Sequence, residues 1–195
     1  ESLGMHRVVL ARETSIDDIK RIKDNSNVEL EVFIHGALCI SYSGQCLMSS
    51  LIGGRSGNRG ACAGSCRLKY DVIDENGVKL NKGDYPLSTK DLNSLEYIGE
   101  LIDAGVASLK IEGRMKSPEY VYTVVNLYRK AIDSYYENGI VEIDKDELVK
   151  LKKIFNRNYT KGFLFNTDNN DLINGYRPNH MGVPVGTVID YMRGI

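Results

Sequence analysis

Four strand-then-helix units follow one another along the chain, and each strand runs at its C-terminal end into polar residues. That pattern predicts an α/β fold with a barrel-type mouth. A complete (β/α)8 barrel takes about 250 residues, and the chain has 195. The expected architecture is therefore the second half of a TIM-type barrel with a cysteine-rich loop, followed by the start of a small β-rich region. In this reading residues 1–140 form the half-barrel, and 141–195 form a helix and linker leading into the β-rich part. The chain opens on Glu1 and reads as a piece of a longer protein that supplies the missing N-terminal half-barrel.

Residues 6–11 are a short β-branched run ending on Arg12 and Glu13. Ser15 caps the next helix, with Asp17 and Asp18 in the turn where the helix dipole favours negative charge; Ile16, Ile19 and Ile22 are its expected buried stripe. Residues 29–35 alternate as a second strand and lead through His35 into the cysteine loop. Asn76-Gly77 marks a two-residue hairpin turn between short strands. A third barrel strand is expected at 85–88, ending in Ser88, Lys90 and Asp91. The helix over 94–104 carries Leu95, Ile98, Leu101 and Ile102 on one face and stops at Gly105. Residues 106–111 supply the fourth strand, followed by Glu112 and Arg114.

Ser117, Pro118 and Gly139 punctuate the next helix at its cap, first turn and end. Val121, Val124, Val125, Tyr128, Ala131, Ile132 and Tyr135 form its expected apolar face. Asp144, with Glu147 three positions on, caps a shorter helix over 145–155. Beyond it a loop at 166–180 and a strand at 184–190 are expected.

Composition excludes some partners. The chain is 42% hydrophobic and 26% charged, with a net charge of −1, so nucleic acid would have to be held by a local basic surface. No apolar run approaches the roughly 20 residues of a membrane span, and no secretory leader is read in residues that open on Glu1 rather than Met. A soluble, cytoplasmic chain with no membrane partner is expected.

All four cysteines, Cys39, Cys46, Cys62 and Cys66, fall between Glu31 and Lys69, spaced C-x6-C-x15-C-x3-C, and no Asp or Glu occurs from 32 to 70. Thiolates select an iron–sulfur cluster or zinc over hard cations. Arg55, Arg59, Arg67 and Lys69 would favour the thiolates and offset the charge of a loaded site. Structural zinc prefers C-x2–4-C pairs, which only Cys62 and Cys66 provide. Spacing thus leans towards a 4Fe–4S cluster, with zinc and unligated thiols still open. Disulfides would need an oxidising compartment, of which there is no sign.

Other polar residues have two readings each. Lys110, Glu112 and Arg114 lie two apart, so they share a strand face. They could bind a carboxylate-rich small molecule at the mouth, or form an internal ion-pair network that includes Lys90 and Asp91. The segment 53–60, with Arg55 and Arg59, could cradle phosphate or merely neutralise a cluster. His35 lies close enough in sequence to Cys39 for a cysteine-protease pair. His6 and His180 belong to no constellation.

Glu31, Phe33, Gly36, Ala37, Leu38, Cys39, Gly44, Cys46, Met48 and Ser49 meet every position of a signature that resembles the U32 "peptidase" family. Asn58–Arg67, Ser88–Leu92 and Leu109–Tyr120 resemble its later blocks, and the tail from Phe155 resembles the linker of longer members. The resemblance implies that the four cysteines hold an iron–sulfur cluster. It implies oxygen-independent hydroxylation of RNA, at a tRNA wobble uridine or an rRNA cytidine, with prephenate as the hydroxyl source. Lys110, Glu112, Arg114 and His35 are the expected catalytic residues, and Arg55, Arg59, Arg67, Lys90 and Asp91 the expected substrate-binding ones. The family name implies a collagenase-like peptidase instead. A third reading is a non-catalytic module in which metal braces an RNA-binding surface. HExxH and GxSxG motifs are absent from the sequence.

Overall fold

The computed structural model describes residues 3–165 and 171–190. Strand β1 (Arg7–Val9) leads to helix α1 (Ile16–Asp24), capped by the Ser15 hydroxyl, which accepts from the Asp18 N–H. Strand β2 (Glu29–Ala37) is the longest and the centre of the sheet. The cysteine loop follows, with the short helix α2 (Met48–Gly53) inside it. Then come β3 (Asp91–Asn93), α3 (Ile98–Asp103), β4 (Ser108–Glu112), α4 (Pro118–Asn138), α5 (Lys145–Ile154) and β5 (Tyr159–Thr160).

The α/β expectation holds, but the sheet is mixed. Strands β1 and β4 run parallel to β2, while β3 runs antiparallel to it and parallel to β5. Because β4 follows β2 from Glu31 to Gly36, β1 (opposite 29–31) and β3 (opposite 35–37) must share its other flank, one after the other. The third strand lies five to six residues later than sequence alone places it. Residues 85–88 form a turn, with the Ser88 N–H bonded to the Tyr85 carbonyl.

Leu30, Val32 and Ile34 point from β2 into a core shared with Ile16, Ile19, Leu95, Ile98, Leu101 and the inner face of α4. The α4 face is rotated from expectation: Tyr120, Val124, Leu127, Tyr128 and Ala131 are buried, whereas Val121 and Val125 are exposed. The buried set follows the i, i+4, i+7 helical rows, and tyrosine fills the row as well as valine does. Caps at Ser117, Gly139 and Asp144 are as expected. The hairpin at Asn76-Gly77 is a single bridge between Ile73 and Lys79, inside which the Asp74 N–H bonds to the Val78 carbonyl across three loop residues, with Gly77 in the left-handed region.

Residues 184–190 form no strand: Val185, Val188 and Ile189 are 95%, 84% and 97% exposed, so their apolar alternation meets no partner. The expected loop at 166–180 falls partly outside the described residues. No helix is long and apolar enough to cross a membrane among the described residues.

Candidate functional site

One edge of the sheet collects the polar chemistry. Gly36 is in register with both Glu112 and Leu92, and Ala37 with Asp91, so the C-terminal ends of β2 and β4 lie beside the N-terminal end of the antiparallel β3. Gly36 has φ +104°, and a Cβ there would lie 2.4 Å from the Glu112 carbonyl oxygen. Only glycine lets the two backbones approach so closely. Arg12 and Glu13 enter this edge after β1, the cysteine loop after β2, Arg114 and Lys116 after β4, and Arg157 just ahead of β5.

All four cysteines are free thiols, Cys39 and Cys66 half-buried, Cys46 and Cys62 exposed. Burial pushes the Cys66 thiol up; Arg67 opposes that, while Cys39 and Cys62 are near enough to push it further. Three sulfurs therefore share one neighbourhood. The Gly64 N–H donates to Cys62 Sγ at 3.3 Å, and the Ser49 hydroxyl accepts from the Ala63 N–H at 2.9 Å, which fixes the turn around Cys62. Cys46 is exposed and follows a turn tethered by Asn58, whose side-chain amide donates to the Gly44 carbonyl at 2.9 Å. Among the described residues no three His, Cys, Asp or Glu side chains stand at metal-binding separation. The donor chemistry fits a soft metal or cluster; the loop is open.

Arg67 anchors the loop to the sheet. Its guanidinium donates to the Ser88 hydroxyl at 2.8 Å, to Thr89 Oγ1 at 2.8 Å, to the Leu38 carbonyl at 3.2 Å and to the Thr89 carbonyl. These bonds tie Cys66 to the residue before Cys39. Asp91 is buried and accepts from Arg157 Nε at 3.0 Å and from the Arg157 backbone N–H at 3.2 Å. Lys90 pairs with Asp171 instead.

Lys110 donates to Glu31 at 2.9 Å, which holds the Glu31 carboxyl below its ordinary range. Glu112 accepts from the Arg114 N–H at 3.2 Å and faces Arg12 at 3.6 Å. The Arg114 guanidinium reaches the cysteine loop, where a Cβ on Gly60 would meet its Nη1 at 2.6 Å. Arg55 and Arg59 are exposed, with no side-chain partner among the described residues. His35 is 1% exposed, its Nδ1 3.3 Å from the Tyr128 hydroxyl, and it packs against the rings of Tyr120, Tyr128 and Tyr159. Burial holds it near a pKa of about 3, so it is neutral.

Sequence reasoning missed Lys116 and Arg157. Lys116 lies over the Phe155 ring near Tyr120, with no ion pair among the described residues, and burial followed by the Arg157 charge lowers it to about 8. Both residues fall within the motif blocks quoted above, but nothing in their spacing foretells that Phe155 brings them together.

These features define an α/β protein with a thiol-rich, cation-lined site at one sheet edge. The chain belongs to peptidase family U32, whose family model matches residues 1–174. It is 44% identical over 173 residues to tRNA hydroxylation protein P1 of Bacillus subtilis, covering 84% of this chain and 40% of that protein. It is 38% identical over 194 residues to the 23S rRNA 5-hydroxycytidine C2501 synthase of Escherichia coli, covering 96% of this chain and 30% of that enzyme. A Porphyromonas gingivalis protein named collagenase is 41% identical over 173 residues, covering 80% of this chain and 41% of its own. The chain thus spans half or less of the length of these relatives. No solved structure matches it.

Proposed function

We propose that this chain is the cluster-bearing part of an RNA-hydroxylating U32 protein. Cys39, Cys46, Cys62 and Cys66 would hold a 4Fe–4S cluster, which supplies electron transfer when bound. The modified base would lie in tRNA or rRNA, and prephenate would be the hydroxyl donor. The observation that carries the reading is four free thiols on a loop without carboxylates, anchored by Arg67 to the edge where parallel strands end. The names of the Bacillus and Escherichia coli relatives supply the RNA.

This chain's own residues would divide the work. The Gly64 N–H would hydrogen-bond a ligating sulfur and so tune it. Arg55 and Arg59, exposed and without side-chain partners among the described residues, would take RNA phosphates. Arg114 and Glu112, at the rim, would orient substrate. β1, β2 and β4, parallel and in chain order, would belong to a barrel completed by the rest of the protein, with the site at its C-terminal face. A cytoplasmic location follows from an RNA substrate.

Nucleoside mass spectrometry of cells lacking the intact gene tests this: one hydroxylated pyrimidine should vanish and return on complementation. An unchanged nucleoside profile would overturn it. The name of the Porphyromonas relative favours peptidase as a second reading. It would require peptide cleavage lost on Cys39→Ala, although His35, bonded to Tyr128 in the core, offers no base to that thiol.

A further inference from the structure

A cavity of about 280 Å³ opens beside Cys39. Its walls come from the loops that follow two adjacent parallel strands, Arg12 and Glu13 after β1 and Cys39 to Tyr42 after β2, closed by Phe163 and Leu172. Crevices outside the carboxyl ends of parallel strands are where α/β sheets bind small ligands.

The cavity has one underused cation. Arg12 carries five N–H donors, and none of its side-chain donors makes a hydrogen bond among the described residues; Nε is buried without a partner. Its nearest carboxylate, Glu112, stands at 3.6 Å, and its guanidinium carbon sits over the Phe33 ring, 4.1 Å from the centroid. A guanidinium held over an aromatic ring with unfilled donors suits a carboxylate, which accepts two parallel bonds. Glu13 lines the same wall, but its two oxygens are held at 2.9 Å by the Ser43 N–H and hydroxyl. It would repel a second negative group inside the cavity, so only one carboxylate fits there. Ile40, Phe163 and Leu172 supply an apolar floor.

We infer that this cavity binds a small organic acid with one inward carboxylate on a compact apolar body, the carboxylate held by Arg12. The position next to Cys39 would put that molecule against the thiol site. Its binding is read from the cavity itself, and only the chemistry it would undergo rests on the proposed hydroxylase reading.

Phenylacetate, with about ten heavy atoms, is a suitable probe for a cavity of this size. Its neutral counterpart phenylacetamide controls for the ring. Saturation-transfer NMR titrations on the anaerobically purified chain should show phenylacetate binding at least about tenfold more tightly than phenylacetamide. Arg12→Met should weaken phenylacetate roughly 10- to 100-fold, the usual worth of a lost charged hydrogen bond. Arg12→Lys should fall between the two, and Ile40→Trp should block both probes by filling the cavity. Equal affinity of wild type and Arg12→Met for phenylacetate, or no saturable binding, would overturn the inference. Iron measured on the same samples separates the two proposals. Arg12-dependent binding by a chain that never carries iron sinks only the cluster, whereas an iron-loaded chain without such binding sinks only the cavity.

Discussion

His35 shows how a residue's surroundings override its sequence position. Four places before Cys39, it reads as a partner for that thiol, but it lies in the buried run Ile34 to Gly36, where the register with β4 shifts between Phe33 and His35, and its ring packs into a tyrosine-lined core. Its folded pKa of about 3 lies below the ordinary 6.5, because burial disfavours the charged ring. Between those values the unfolded chain binds a proton that the folded chain refuses, so stability falls as pH drops through 6.5 towards 3. The expected loss is about 3 kcal/mol between pH 7 and 4.5 from this group. Urea unfolding at both pH values should show it in wild type, and a His35→Phe variant should show a correspondingly flatter acid limb. Identical acid limbs would contradict the buried, neutral assignment. Arg67 was legible as a cation beside a cysteine; that it fastens two backbone carbonyls was not, since its partners lie 21 to 29 residues away.

At the scale of elements, the local signals carried well where they were local. Ser15, Ser117 and Asp144 cap their helices through bonds to N–H groups two or three residues on, and such spacing is visible in sequence. Strand β3 was misplaced because its position depends on pairing with β2 and β5, not on its own alternation over three residues. The same pairing explains Gly36. Gly36→Ala should destabilise the chain by about 3 kcal/mol or more, because it combines a disfavoured φ with a clash against Glu112 backbone. Gly54→Ala, with φ +62° and nothing within 4 Å, should cost only about 1–2 kcal/mol. Chemical denaturation of the two variants side by side checks the ranking, and equal losses would mean that the β2–β4 approach is looser than 2.4 Å implies.

Across the whole molecule, the sheet edge gathers residues from every part of the chain: Arg12 near the start, the thiol loop, Glu112 to Lys116, and Arg157. The four thiols were plain in the sequence because they crowd one loop, whereas the approach of Arg12 and Arg114 to that loop emerges only when the strands align. The cavity beside Cys39 likewise needs Phe163 and Leu172, more than 120 positions from it, which no spacing rule connects. Because no three His, Cys, Asp or Glu side chains stand at metal-binding separation among the described residues, ligation by all four cysteines is the central claim. Iron and acid-labile sulfide should therefore be assayed in the anaerobically purified full-length protein and in its four single Cys→Ser variants. About four irons and four sulfides per protein, lost in each variant alike, is the predicted result. Stoichiometric zinc in place of iron, or full iron retention when any one of the four cysteines is replaced, would contradict it.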